Sequence, residues 1–178
     1  MLLRACLSAL AMLTLAACEE NVMQGIDRMR AERRAAAEAV AQKSKAFLAE
    51  NAQKVDVKTT PSGLQYKVVR AVSPDTPRPT PADRVRVNYE GKLVDGTTFD
   101  SSYARGQPIE FGVTEVIAGW TEGLQLMRPG EEFMFYVPSE IGYGAAGGGE
   151  EIPPNAALVF KVELLSFQRP DGSVVAPR

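Results

Sequence analysis

The clearest pattern in the chain is an alternation of apolar and polar residues, which is typical of strands with one buried and one exposed face. It runs along residues 85–93, with the apolar members Val85, Val87, Tyr89 and Leu93, and returns in Phe133, Phe135 and Val137. Residues 63–70 predict a further strand with Leu64, Tyr66 and Val68 on one face, and the nearly apolar residues 157–167 predict a central strand. The pair Asp95-Gly96 favours a hairpin turn.

Helical patterns occupy two regions. Trp120, Leu124 and Met127 lie at i, i+4 and i+7 ahead of Pro129-Gly130, which predicts one short amphipathic helix with a defined end. Residues 22–50 are rich in strong helix formers and contain no proline, so they predict a helix of about 25 residues. Several antiparallel strands with one internal helix indicate an α+β fold.

The apolar stripe of the N-terminal helix is sparse. A spacer that also serves as a dimer arm is one interpretation of it, and a solvated helix that docks only its Phe47 end is the other. The sequence leaves both open.

The first seventeen residues have the layout of a secretory signal peptide. Arg4 supplies a positive charge, and the apolar stretch that follows ends in small residues before Cys18. This stretch is shorter than the ~20 apolar residues of a membrane-spanning helix. Residues 15–18, Leu-Ala-Ala-Cys, resemble a bacterial lipobox, which implies that Cys18 is lipidated and becomes the mature N-terminus. An uncleaved anchor and a free thiol are the alternatives.

The expected organisation has four parts: a signal peptide at 1–17, a lipidated helical spacer at 18–57, a folded domain at 58–168 and a flexible tail at 169–178. Lipidation predicts attachment to a membrane of the bacterial cell envelope. Glu19 replaces the aspartate that resembles an inner-membrane retention signal, so the outer membrane, facing the periplasm, is favoured.

Composition excludes several kinds of chemistry. The chain has no histidine, which removes the commonest general base and metal ligand as well as every Ser-His or Cys-His nucleophile. A net charge of -2 offers no positive field for nucleic acid. Cys6 would leave with the signal peptide, so no disulfide is expected in the mature protein. Without histidine or a usable cysteine pair, no metal site is expected, and no cofactor is expected either.

Three stretches of the chain resemble the FKBP family of peptidyl-prolyl cis/trans isomerases. They are VNYEGKLVDGTTFDSS (87–102), VIAGWTEGL (116–124) and YGAAGGGEEIPPNAALVFKVELL (143–165). The preceding TTPSGLQYKVV (59–69), with a helix ahead of it, is similar to the macrophage-infectivity-potentiator branch. The resemblance implies a curved antiparallel sheet, a half-barrel, wrapped around the short helix, with the active pocket between them.

The resemblance also implies a set of site residues. Asp100, Trp120 and Tyr143 correspond to catalytic positions, and the substrate-binding set is Tyr89, Phe99, Ile109, Phe111, Val116, Ile117, Ile152 and Phe160. Trp120 would be the floor under the substrate proline, while the Ile117 N–H and the Tyr143 hydroxyl would bind carbonyl groups. Ile109 and Gly148 depart from residues common in the family, which bears on the rate and on the preference for the residue before proline.

The implied activity is non-covalent isomerisation of X-Pro bonds in unfolded or partly folded envelope proteins. Tacrolimus and rapamycin are the implied inhibitors, and a homodimer is an open possibility. The competing class is a proline-binding or holdase chaperone module with little turnover. The intact pair of Trp120 and Tyr143 favours the enzyme.

Overall fold

The computed structural model describes the backbone of residues 3–177 and the side chains of residues 22–177. The chain divides into two compact units, Met1–Glu38 and Ala39–Arg178. Helix α1 is Leu3–Asn51, so it begins well before the predicted residue 22. The predicted signal peptide and Cys18 lie outside the residues whose side chains are described. Within the described part of the chain, no helix is both long enough and apolar enough to cross a bilayer.

One antiparallel sheet of eight strands dominates the described residues. The strands are β1 (Lys58–Thr59), β2 (Gln65–Arg70), β3 (Arg84–Leu93), β4 (Thr98–Ser101), β5 (Ile109–Gly112), β6 (Glu132–Val137), β7 (Leu158–Gln168) and β8 (Val174–Val175). Their order is β1-β2-β6-β7-β3-β4, with β5 paired to β3 and β8 paired to β7. The remaining helices are α2 (Ser102–Arg105), α3 (Ala118–Leu124) and two 3₁₀ turns, Ser139–Ile141 and Gly144–Ala146.

The centre of the sheet is the pair β3 and β7, which are paired along the whole of β3, from Arg84↔Gln168 to Leu93↔Leu158, with a bulge that shifts the register between Arg86 and Val87. Both predicted strands are confirmed, and β7 is the central strand that its apolar composition indicates. The alternation in β3 places Val85, Val87 and Tyr89 in the core. The predicted α+β class, with a sheet wrapped around one short helix, is therefore the observed one.

Helix α3 lies close against β6 because two of its residues are glycines. A Cβ at Gly123 would stand 2.6 Å from the Phe135 ring, and one at Gly119 would stand 2.7 Å from Val137 Cγ1. Real Cβ atoms do not approach other atoms this closely, so only glycine permits the spacing. The close packing fixes the height of Trp120, which lies between the two glycines, above the sheet.

The end of α1 is packed into the second unit. The Phe47 ring lies 6.0 Å from the Tyr136 ring, and the Asn51 side-chain amide donates to Gln65 Oε1 at 2.8 Å. Gln65 in turn donates to the Leu48 carbonyl at 2.9 Å. Leu64 and Tyr66, on the predicted face of β2, pack in or against the core, and Val68 further along that face is 39% exposed. Gln65, on the other face, is only 5% exposed. Gln65 is buried because α1 satisfies its amide.

The sheet continues past residue 168. Val174 and Val175 of β8 pair with Gln168 and Phe167, inside the segment that was expected to be a flexible tail. Val175 packs against the core cluster. The last part of the chain is thus joined to β7 by a short hairpin.

Candidate active site

Trp120 forms the base of a cavity between α3 and the concave face of the sheet. Only 4% of its surface is exposed. The indole meets Phe160 at 5.1 Å and Tyr89 at 5.3 Å, both nearly perpendicular at 84° and 87°, and Phe111 at 5.8 Å. Edge-to-face contacts of this kind are favourable for aromatic rings. Three rings from three strands therefore hold the indole in one orientation.

The cavity has a volume of about 390 Å³. Its lining comes from β3, β4, β5 and β7, from the start of α3 and from the segment after β6. The lining residues are Tyr89, Phe99, Asp100, Ile109, Phe111, Glu115, Val116, Ile117, Trp120, Tyr143 and Phe160. The structure thus brings together every predicted pocket residue except Ile152, and it adds Glu115.

Ile152 is buried beside the cavity instead of lining it. It forms a two-way backbone bridge with Gly148, at 2.9 and 3.1 Å. A Cβ on Gly148 would lie 3.0 Å from the Tyr143 ring and 3.2 Å from Ile152 Cδ1, so both side chains flank this glycine. Ile152 therefore supports the segment that carries Tyr143.

One wall of the cavity depends on a glycine, Gly91, beneath two aromatic rings. Phe99 and Phe160 meet edge to face at 5.5 Å, over Gly91 of β3. A Cβ at Gly91 would lie 2.6 Å from the Phe99 ring and 2.9 Å from the Phe160 ring. Both rings can lie against the strand only because this position is glycine.

Some hydrogen-bond donors of the cavity lining have no partner among the described residues, and two of them, on Tyr143 and Ile117, are those that the sequence predicts to bind carbonyl groups. Tyr143 is 41% exposed, and no described residue accepts from its hydroxyl. The Ile117 carbonyl accepts from Trp120 and Thr121 at 2.9 and 3.0 Å, but within residues 22–177 the Ile117 N–H has no acceptor. Both donors are available to a bound carbonyl group.

Asp100 is held by two neighbours. Tyr89 donates its hydroxyl to Asp100 Oδ2, and Arg105 donates to Asp100 Oδ1 and, at 2.9 Å, to the Tyr89 hydroxyl oxygen. Burial raises the pKa of Asp100, but the hydrogen bonds from Tyr89 and Arg105 lower it further, so the net pKa is below the usual value. Burial and the bond to Asp100 raise the pKa of Tyr89. At neutral pH the trio is carboxylate, neutral phenol and guanidinium.

Sequence reasoning missed Arg105 and Ser102. Ser102 is fully buried and accepts the Tyr89 N–H at 2.8 Å, so it fixes the strand beside the trio. Arg105 had one usable signal: it is the only basic residue between Lys92 and Arg128, on the segment that follows Asp100. A partly buried carboxylate such as Asp100 favours a nearby cation, and Arg105 is the basic residue that this segment offers.

Carboxylates do not cluster in this region. Among the described residues, no group of three or more His, Cys, Asp or Glu side chains could hold a metal ion. Glu115 accepts the Gly112 N–H at 2.7 Å and lies 3.6 Å from Arg84 Nη1. Its carboxylate is therefore engaged at the rim of the cavity.

Comparison with known proteins decides the family. The profile of the FKBP-type peptidyl-prolyl cis-trans isomerase domain matches residues 76–165, half of the chain. The chain belongs to the FKBP family. A second profile, the domain amino terminal to FKBP-type peptidyl-prolyl isomerases, matches residues 4–68, so the helix and the first strands are also typical of these proteins.

Individual FKBP proteins agree with this assignment. A probable FKBP-type peptidyl-prolyl cis-trans isomerase FkpA of Neisseria meningitidis is 45% identical over 155 residues, 87% of this chain and 55% of that protein. Outer membrane protein MIP of Legionella longbeachae is 43% identical over 127 residues, 71% of this chain and 54% of that protein. The chain thus spans about half the length of these curated relatives.

A solved structure gives the same result. The crystal structure of FkpA from Escherichia coli superposes with a TM-score of 0.74 at 38% identity, covering 88% of this chain and 71% of that chain. The family predicted from the three motif stretches is therefore confirmed, and its relatives include a protein named MIP.

Proposed function

We propose that this FKBP domain catalyses cis/trans isomerisation of X-Pro peptide bonds. The observation that carries the proposal is the buried Trp120, held by three rings at the base of an apolar cavity whose lining also includes the Tyr143 hydroxyl and the Ile117 N–H. An X-Pro bond prefers trans by only about 0.5–1 kcal/mol, yet its rotational barrier is ~18–20 kcal/mol. The enzyme needs only to lower this barrier, so no nucleophile is required.

The cavity supports this chemistry in two ways. The planar amide has more charge separation than the twisted one, so an apolar, water-poor site favours the twisted state. Trp120 and the rings of Phe99 and Phe160 supply such surroundings for the proline. The Ile117 N–H and the Tyr143 hydroxyl bind the flanking carbonyls, which keeps the peptide fixed while the bond turns.

Asp100 acts as a fixed charge in this proposal. Its carboxylate is ionised at neutral pH, and Tyr89 and Arg105 hold it at the cavity edge. There it faces the rotating amide, and it also orients the Tyr89 ring that packs on Trp120.

A protease-coupled isomerisation assay on an X-Pro peptide tests the proposal. We expect acceleration by the protein, with inhibition by tacrolimus and by rapamycin. Saturable tacrolimus binding without turnover would contradict the proposed isomerase activity and leave the alternative of a proline-binding or holdase module. Absence of both would contradict the site itself.

The proposal extends to the location and the clients of the protein. The signal-peptide layout of residues 1–17 and the lipobox ending at Cys18 support a lipid anchor in the bacterial envelope, at the outer membrane facing the periplasm. Unfolded, proline-containing envelope proteins are then the clients. Cys18→Ser should release the protein from the membrane fraction, with Cys6→Ser as the matched control. An unmodified mature N-terminal cysteine in mass spectrometry would contradict the anchor.

A homodimer through α1 completes the proposal. Val22, Met23 and Met29 are large apolar side chains exposed on this helix, which supports a second copy as their cover. Two joined domains would bind a long client with increased effective concentration. Sedimentation should show a dimer for residues 18–178 and a monomer for residues 39–178. A monomer in both cases would contradict this arrangement.

A further inference from the structure

Ser44 is a buried polar residue on the part of α1 that packs into the second unit. It is 4% exposed, and its Oγ accepts the backbone N–H of Ala157 at 2.9 Å across 113 residues of sequence. Ala157 is itself buried, and Ser44 is the partner that the structure gives its N–H. A buried backbone donor without an acceptor is strongly disfavoured, so this bond fixes where Ala157 lies.

Ala157 stands at the joint between two parts of the active site. Residues 142–156, which we call the flap, precede it and carry Tyr143; three residues after it, Phe160 lines the cavity on β7. Within the flap, Asn155 takes a left-handed conformation with φ 63° and donates its N–H to the Gly144 carbonyl at 2.9 Å. The end of the flap is thereby bonded to the residue next to Tyr143.

We propose that Ser44 is a positioning residue of the active site. By holding the Ala157 N–H, it fixes the end of the flap, and through Asn155 and Gly144 it sets the height of the Tyr143 hydroxyl above Trp120. The inference rests on the proposed function for its substrate. It gives the last turns of α1 a part in substrate binding, although none of residues 22–51 of this helix lines the cavity.

A second contact of the same helix supplies a matched control. Asn51 is also fully buried and docks α1 through its bond to Gln65. Gln65 lies on β2, which contributes nothing to the cavity lining. Loss of the Asn51 bond should therefore remove one contact at the end of the helix and leave the Ser44–Ala157 bond and the flap in place.

The experiment compares Ser44→Ala, Asn51→Ala and Ser44→Thr in the full chain, at a temperature where all three are folded. Trp120 is the only tryptophan, so its fluorescence reports tacrolimus binding directly. We expect Ser44→Ala to weaken tacrolimus binding and to lower kcat/KM by about three- to tenfold, as for one lost hydrogen bond. Asn51→Ala should leave both values unchanged. Ser44→Thr, which keeps the hydroxyl, should restore at least half of the lost affinity.

Amide hydrogen exchange at Ala157 gives a readout that does not depend on turnover. Its N–H should exchange faster in Ser44→Ala than in wild type or Asn51→Ala, and the Asn155 N–H should follow it. Equal loss of affinity in Ser44→Ala and Asn51→Ala, or faster exchange at Ala157 with unchanged affinity, would overturn the inference. A wild-type protein that binds tacrolimus but turns over no peptide would overturn the proposed function alone, because exchange and binding still test Ser44.

Discussion

Gly91 offers a direct test of how the cavity wall is built. In Gly91→Ala the new Cβ would stand 2.6 and 2.7 Å from two atoms of the Phe99 ring and 2.9 Å from the Phe160 ring. Ordinary carbon contacts are ~3.5–4.0 Å, so both rings must move away from β3 by about 1 Å. Both rings line the cavity, so this movement displaces them toward it. The substitution should therefore narrow the site and strain its wall.

The size of the effect follows from this overlap. Overpacking of a core by one methyl group costs about 1–3 kcal/mol, and alanine recovers about 0.5–1 kcal/mol relative to glycine in a strand. A net loss of about 1–2 kcal/mol should lower the melting temperature by about 2–8 °C for a unit of this size. Tacrolimus affinity should fall as well, because the displaced rings occupy its place.

Thermal melts by circular dichroism and tacrolimus titrations by Trp120 fluorescence measure the two effects. Gly25→Ala is the matched control: it adds the same methyl group at a glycine of α1 with no atom within 4 Å, so the melting temperature should stay or rise. Unchanged stability and unchanged affinity in Gly91→Ala would show that the two rings accommodate a methyl group, and would refute the claim that this wall requires glycine.

Four further outcomes are expected. Trp120→Ala should abolish measurable tacrolimus binding and destabilise the fold by about 3–5 kcal/mol, as is typical for a buried tryptophan; melts and titration calorimetry, which needs no tryptophan signal, decide this. Tyr143→Phe should weaken tacrolimus binding by about two- to tenfold with no change in stability, because none of the described residues accepts from its hydroxyl; Tyr103→Phe, equally exposed but outside the cavity, is its control and should bind as wild type does. A chain that begins at Ala39 should melt as the full chain does, whereas one that begins at Lys58 should melt lower, because it lacks Ser44 and Asn51, and should show a kcat/KM lowered by about three- to tenfold, as for loss of the Ser44 hydrogen bond; equal melting of the two would contradict the role given to α1. The folded pKa of Asp100 is lowered, so its contribution to stability is complete above pH ~4 and disappears as the pH falls through the folded pKa. Asp100→Asn should accordingly flatten the acid side of the stability curve, and an unchanged curve would contradict the pKa shift.

Local patterns predicted most of the strands and the short helix. The alternation in β3 and β6 has a single buried face, so residue type alone reports which side is inside. At β2 the same reasoning did not predict the burial of Gln65 on the opposite face, because that burial depends on α1 and not on the strand. A polar residue can be buried wherever a distant segment satisfies it, and a period-two pattern contains no information about that segment.

The candidate site divides in the same way. Motif resemblance located the aromatic lining, because all of those residues except Phe111 stand in three compact stretches. It did not locate Arg105, whose guanidinium reaches Asp100 only through the turn of α2, nor Ser44, whose partner is 113 residues away. The Ser44 contact depends on how α1 packs against the assembled sheet, and the Arg105 contact depends on the turn of α2. The spacing of apolar residues determines neither.

The pairing of β3 with β7 has a consequence for how the chain folds. Its two strands are separated by more than sixty residues and form the middle of the sheet, so the core cannot close until nearly all of the domain is available. Folds dominated by such distant contacts form slowly, because the entropy of a large loop must be lost before the contacts are gained. On a chain that emerges N-terminus first, Asn51 can meet Gln65 early, whereas Ser44 would remain without its partner until Ala157 and β7 arrive. The contact between α1 and the residues that precede β7 is therefore among the last to form.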